Sequence, residues 1–149
     1  MVNIQQLGPT DVRLMRELLS VFARAFDDAP NYLHNQPSDK YLIENLQNDN
    51  FIPLVSIING EVVGGLVAYE LKKFEQERSE IYIYDLAVDE NHRRKGIATG
   101  LIENLKSIAS ERGIKVIIIQ ADQGDDPAIA LYSKLGEKED VLHFDIKVG

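Results

Sequence analysis

The sequence predicts an α/β fold in which a mixed sheet carries helices on both faces. Three observations carry that expectation. The run Tyr82-Ile83-Tyr84-Asp85-Leu86-Ala87-Val88 is aromatic or apolar at every position but one. That is too continuous for a strand with one face in water, so it reads as a central strand covered on both sides. A helical pattern from about Gly96 to Arg112 separates it from a second buried run, Lys115 to Gln120 (KVIIIQ), and a helical crossover makes the two strands parallel. Finally, Phe51 to Ile58 and Glu61 to Leu71 flank Asn59-Gly60, a pair that accepts the positive φ angles of a two-residue turn, which makes those strands antiparallel.

In chain order, a short strand is expected around Val2 to Leu7, followed by Gly8-Pro9-Thr10. Thr10 is the expected N-cap of a first helix, whose Val12, Met15, Leu18, Leu19, Phe22 and Phe26 recur at helical spacing and form one apolar face. The run Asp27 to Ser38 (DDAPNYLHNQPS) is polar, interrupted twice by Pro, and contains Tyr32 and His34. It reads equally as a plain connector or as a loop that touches a ligand. Asp39 to Leu46 forms a second helix with Tyr41, Leu42 and Leu46 inward. In the hairpin that follows, Gly64-Gly65 would weaken a strand interior, which points to a bulge or a close backbone approach. The helix after the central strand buries Ile97, Leu101, Ile102, Leu105, Ile108 and Ala109 and stops at Gly113. After an acidic loop, Asp122 to Asp126, Pro127 starts a short helix that Gly136 closes, with Asp125 as a good N-cap candidate. Asp140 to Lys147 reads as a last strand.

At 149 residues and 44% hydrophobic, residues 1–149 suffice for one domain and are too few for two ordinary ones. The absence of Cys excludes disulfides, zinc-thiolate sites and thiol nucleophiles, and no metal site is expected. No signal pattern and no apolar run of membrane-spanning length occur, so a soluble cytoplasmic protein without membrane partners is expected. Sixteen Lys plus Arg against twenty-four Asp plus Glu give a net charge of -8. That disfavours nucleic acid and suits cationic partners, unless the acidity serves solubility alone.

The loop after the central strand carries Arg93-Arg94-Lys95-Gly96-Ile97-Ala98-Thr99. A helix N-terminus offers unpaired N–H groups and a partial positive charge, and cations beside it suit a phosphorylated ligand. Neither a Walker loop nor G-x-G-x-x-G is present. The segment resembles the R/Q-x-x-G-x-G/A motif of the GNAT acetyl-CoA-dependent N-acetyltransferases. A second segment, Ala128 to Gly136 (AIALYSKLG), is similar to the A-x-x-L-Y-x-K-L-G helix of that family. The resemblance implies a largely antiparallel mixed sheet splayed at its middle. It also implies acetyl-CoA as donor, with Arg93 to Thr99 (Arg93, Arg94, Lys95, Gly96, Ile97, Ala98, Thr99) around its pyrophosphate. Main-chain groups of Leu86, Ala87 and Val88 would then lie along pantetheine, and Tyr132 near the sulfur as general acid. Where the family often has Asn seven residues before that Tyr, this chain has Asp125.

Acetyl transfer to an amine requires a polarised thioester carbonyl, a neutral amine and a stabilised leaving thiolate. Asp85 is the candidate base, because an acid in so apolar a strand is costly unless paired or used. The competing reading is a structural carboxylate bonded to neighbouring N–H groups. Strict alternation would put Tyr82 and Tyr84 on the face opposite Asp85, and a bulge would be needed to turn Asp85 toward a substrate. Glu80 is the reserve. Lys73 to Gln76, Arg78 to Val88, Gln120 to Asp122, Gly124 to Pro127 and His143 to Ile146 further resemble the GNAT-type aminoglycoside 3-N-acetyltransferases. That implies a polycationic sugar acceptor, in a cleft formed by Tyr32, Glu80, Tyr84, Asp85, Asp122, Asp125, Asp126 and Asp145. Three readings stand open: that enzyme, an acetyltransferase of polyamines or another small cationic amine, and a GNAT-fold module that binds acyl-CoA without turnover. By family analogy a homodimer is expected.

Overall fold

The computed structural model describes residues 2–149. Five strands lie in the order β1 (Asn3–Gln6), β2 (Phe51–Ile58), β3 (Glu61–Lys72), β4 (Ser79–Val88) and β5 (Ile117–Ile119). The first four pair antiparallel and β4 with β5 is parallel, so the sheet is mixed and largely antiparallel as expected. Asn59 and Gly60 take φ values of 52° and 80°, the left-handed pair that a tight hairpin between twisted strands requires.

Helices α1 (Val12–Ala25) and α2 (Asp39–Leu46) cover one face, and α3 (Ile97–Glu111) covers the other. On the α3 face Ile52, Leu54, Leu66, Ile81 and Ile83 meet Leu101 and Leu105. On the α1–α2 face Val55, Val67 and Ala87 meet Leu18, Phe22, Leu42 and Leu46. Fully burying each such side chain contributes about 1.5–3 kcal/mol, and alternate strand residues supply the two cores. Gly64 and Gly65 lie where nothing larger fits. A Cβ on Gly65 would come 2.5 Å from both Leu18 Cδ1 and Leu54 O, and one on Gly64 would come 2.9 Å from Ala87 O. Beside them β2 and β3 shift register after Ser56, leaving Val63 without an opposite residue. Both the bulge and the close approach expected of this pair are present.

Four expectations need correction. The N-cap of α1 is Asp11 rather than Thr10, and its carboxylate accepts from Gly8 N–H (2.8 Å), closing the turn that precedes the helix. Tyr41 is exposed, since Leu42 and Leu46, one helical turn apart, form the inward stripe of α2 and Tyr41 lies off it. Asp140 to Lys147 forms no strand: residues 136–149 run as irregular chain, with Phe144 at 76% and Val148 at 98% exposure. Its alternating pattern is that of a strand, but among the described residues it pairs with none of the five strands. The buried strand expected at Lys115 to Gln120 is shorter, Ile117–Ile119, pairs only with Ile81 to Ile83, and is not buried: it lies at the edge of the sheet with Val116 and Ile118 exposed. Beyond Ile83 the strands part, which is the splay at the middle of the sheet.

Candidate active site

The decisive local feature is a bulge in β4. Val67 pairs with Asp85 and the next residue of β3, Ala68, pairs with Ile83, so Tyr84 is the extra residue. One unpaired residue reverses the alternation that follows it. Before it, Ile81 and Ile83 belong to the α3 core; after it, Leu86 and Val88 do. Tyr82, Tyr84 and Asp85 are thereby gathered on the α1–α2 side, which strict alternation forbids. Tyr84 packs edge-on against Tyr82 and against Tyr69 of β3 (centroids 6.0 and 6.2 Å).

Asp85 is part-buried, and its Oδ2 accepts the Tyr32 hydroxyl at 2.9 Å. Burial raises the Asp85 carboxyl above its ordinary value, and the Tyr32 hydrogen bond offsets part of that rise. Tyr32 in turn is held protonated far above the usual phenol range, by its own burial and then by the bond to Asp85. Tyr32 comes from the π-helical turn Pro30–His34, and its ring packs against Phe22 and Phe26 of α1 (5.8 and 5.6 Å). Arg16 pins the rest of that connector by donating to Gln36 Oε1 (2.9 Å), to Pro37 O (3.0 Å) and to the Asp39 carboxylate. The polar run between α1 and α2 is therefore a built loop that delivers one phenol to one carboxylate.

At the other end of β4 a short 3-10 turn, Glu90–His92, leads into the basic loop. Arg94 and Gly96 adopt left-handed φ values of 63° and 76°, which turns the chain sharply into α3. Among the described residues no protein acceptor is bonded to the N–H groups of residues 94–99. Arg94 and Lys95 are exposed beside them, and a Cβ built on Gly96 meets nothing within 4 Å. The open N–H groups, the positive end of α3 and two free cations fit a pyrophosphate. Arg93 is used differently: its Nε donates to Val88 O at 3.1 Å and ties the loop to the strand. Leu86, Ala87 and Val88 pair with β3 on one edge. Among the described residues their other edge, past the end of β5, has no strand partner.

Tyr132, on α4 (Asp126–Leu135), is half-buried and, like Leu131 of the same helix and Leu86 and Val88 of β4, packs against the α3 core. Burial first, and the nearby Asp125 second, push its hydroxyl up to about 12, so it is a proton donor at neutral pH. Asp125 caps α4, accepting from Ala128 N. Glu80 is bonded to Arg78 (3.2 Å), with Lys73 at 3.9 Å. Asp145 faces His143 (3.0 Å) on the exposed C-terminal run, and Asp122 and Asp126 are exposed around the start of α4. The structure thus groups Tyr32, Tyr84 and Asp85, and sets Tyr132 apart from them on α4 against the α3 core. The acids of 122–126 and 145 make no hydrogen bond to this group; Asp125 and Asp145 are bonded locally, to Ala128 N and His143. Sequence reasoning missed Tyr69 and Arg16; Tyr69 could have been found only by pairing it across the hairpin with Tyr82.

The model of the acetyltransferase (GNAT) family matches residues 14–136. The chain belongs to that family. Its donor is accordingly acetyl-CoA, and the fold is the GNAT fold. The crystal structure of an aminoglycoside acetyltransferase, HMB0005, from an uncultured soil metagenomic sample is 56% identical. It superposes with a TM-score of 0.98, over 100% of this chain and 99% of that one. A second soil metagenomic aminoglycoside acetyltransferase, meta-AAC0020 in complex with sisomicin, is 30% identical with a TM-score of 0.92, covering 99% of this chain and 97% of its own. An N-alpha-acetyltransferase from Saccharolobus solfataricus is 31% identical over 106 residues, 66% of this chain. The chain spans 64% of the length of that curated relative and 48% of a probable N-acetyltransferase from Xenopus laevis. Among the described residues no helix is long and apolar enough to cross a membrane.

Proposed function

We propose that residues 1–149 work as one cytoplasmic catalytic domain, an aminoglycoside 3-N-acetyltransferase. It would acetylate the 3-amino group of a 2-deoxystreptamine antibiotic by direct transfer in a ternary complex, and so confer resistance. The observation that carries the reading is the whole-length similarity, at 56% identity, to an aminoglycoside acetyltransferase. The relative with sisomicin supports the substrate class. The 3-position rests on the resemblance of the segments around Arg78 to Val88 and Gly124 to Pro127.

Acetyl-CoA supplies the activated acetyl thioester. In this reading the N–H groups of residues 94–99, with Arg94 and Lys95, hold its pyrophosphate, and the open edge of Leu86 to Val88 lies along pantetheine. Asp85 accepts the proton of the attacking amine, directly or through one water. Tyr32 keeps that carboxylate oriented. Tyr132 gives its proton to the departing sulfur, which a neutral phenol can do without first being ionised. With no cysteine in the chain, a thioester acyl-enzyme is excluded.

The homodimer also belongs to this reading. The unpaired C-terminal run exposes Val141, Leu142, Phe144, Ile146 and Val148, and β5 is the last strand of the sheet. An apolar run of strand-like alternation and an open edge are complementary between two copies. The near-identical course of the whole chain in the 56% identical structure supports the extended position of that run.

Release of free thiol from acetyl-CoA, with gentamicin, sisomicin, spermidine, an arylamine or no acceptor, tests the function. Turnover confined to the aminoglycosides, with the acetyl group located at the 3-amino nitrogen by NMR, is expected. Turnover on spermidine but on no deoxystreptamine compound would sink the substrate assignment.

A further inference from the structure

The geometry points to the exposed tyrosine wall Tyr69–Tyr84–Tyr82 beside Asp85 as the subsite that holds the acceptor's non-reacting ammonium groups, against the ring faces. This deepens the acetyltransferase reading and rests on it. Phe51, Tyr69, Tyr84 and Tyr82 form an unbroken row, with successive centroids 5.5, 6.2 and 6.0 Å apart. The last two contacts are close to perpendicular, at 85° and 77°. Rings set edge to face cannot all turn their faces into one another, so some faces are left for a ligand. The row begins inside the fold, where Phe51 packs on the α1–α2 core, opens to solvent at Tyr69 and Tyr84, 39% and 63% exposed, and closes on the part-buried Tyr82. The bulge at Tyr84 is what places this ring next to Asp85 rather than on the other face.

The charge inventory favours ring faces as the recognising surface. A polyammonium acceptor has several cations to place, and Asp85 is engaged with Tyr32 and assigned to a single amine. Glu80 is compensated by Arg78 and Lys73, Asp125 is a helix cap, and Asp145 faces His143. Glu70, behind the same hairpin, is bonded to Arg112 and Ser79. Asp28, which acts on Tyr32 from the connector before it, accepts from Asn31. The rest of the surface beside Asp85 is aromatic, and aromatic faces attract ammonium groups through their quadrupole. The one polar tie in the row, Tyr82 Oη donating to Gln120 Oε1 at 3.1 Å, fixes the ring by its hydroxyl.

The experiment compares wild type with Tyr69→Leu, Tyr84→Leu, Tyr69→Phe and Tyr84→Phe, reading sisomicin affinity by calorimetry in the presence of CoA and KM by thiol release. A third set places phenylalanine with one to five ring fluorines at position 84. Each Leu variant is expected to weaken binding about threefold to thirtyfold, with kcat at saturating acceptor changed less than KM. Each Phe variant is expected to stay within about twofold, since it keeps the face. Affinity should fall stepwise with ring fluorination. Leu variants that bind as wild type, Phe variants as weak as Leu, or affinities indifferent to fluorine would each overturn the proposal while acetylation by wild type leaves the function standing. Should wild type ignore aminoglycosides, the same series is read with spermidine. A ring-dependent loss there supports the wall and removes only the substrate assignment, and the absence of any polyammonium binding removes both.

Discussion

Asp85→Asn separates the chemistry from the architecture. Asparagine keeps the shape, and its carbonyl oxygen can still accept the Tyr32 hydroxyl now 2.9 Å from Asp85 Oδ2, so what is lost is the charge and the basicity. A positioned general base contributes about 10²–10⁴-fold, or roughly 3–5 kcal/mol of barrier, and kcat should fall by that factor with acetyl-CoA affinity unchanged. The acidic limb of the pH–kcat/KM profile should vanish with it. Stability should move the other way. Burial raises the folded carboxyl above its ordinary 3.8, so the unfolded chain ionises first as pH rises. The resulting cost to the native state is absent below pH 3.8, grows above it and is complete once the folded carboxyl has also ionised. Asp85→Asn removes that cost. At pH 7 the variant should melt higher than wild type, by roughly 2–4 °C for each kcal/mol relieved in a domain of this size, and the gap should close near pH 4. Thiol-release kinetics from pH 5 to 9 and calorimetry at pH 4 and 7 are the assays. A kcat within threefold of wild type, or an unaltered acidic limb, would refute the role of Asp85 as base. A lower melting point at pH 7 would refute the argument from burial.

Further outcomes follow from the same contacts. Tyr132→Phe should lower kcat at least tenfold while coenzyme affinity holds, and, because Tyr132 titrates only near 12, wild type should show no alkaline limb from it below pH 10. An unchanged kcat would take the general acid away from Tyr132. Gly65→Ala forces a Cβ within 2.5 Å of Leu54 O and Leu18 Cδ1. A loss of about 1–3 kcal/mol is expected, read as a lower denaturation midpoint, and an unaffected midpoint would show that α1 and β2 yield freely there. Arg16→Ala removes the donor to Gln36, Pro37 and Asp39. The acceptor KM should rise several-fold, in keeping with about 1 kcal/mol for lost hydrogen bonds, with the KM for acetyl-CoA unmoved; equal changes in both would refute a role limited to the acceptor loop.

Much of this protein was legible along the chain because the signals are local. Asn59-Gly60, Gly113 and the periodic faces of α1 and α3 mark turns, stops and buried stripes within a few residues of themselves. The loop 93–99 was readable for the same reason: strand, basic turn and helix start are contiguous, and the open N–H groups come with any helix N-terminus. Asp85 could be singled out as an acid in an apolar strand, and Tyr32 and Tyr84 were expected in the same cleft, but the contacts among them could not be read, because the bulge at Tyr84 depends on how β3 and β4 align over their whole length. Tyr69 and Tyr32, 16 and 53 residues away in sequence, reach it only through that alignment and through the Arg16 ties. The C-terminal alternation was misjudged for a related reason. Pattern specifies which residues a strand would bury, but whether a strand forms depends on an edge to bond with, and edges exist only once the sheet has been assembled.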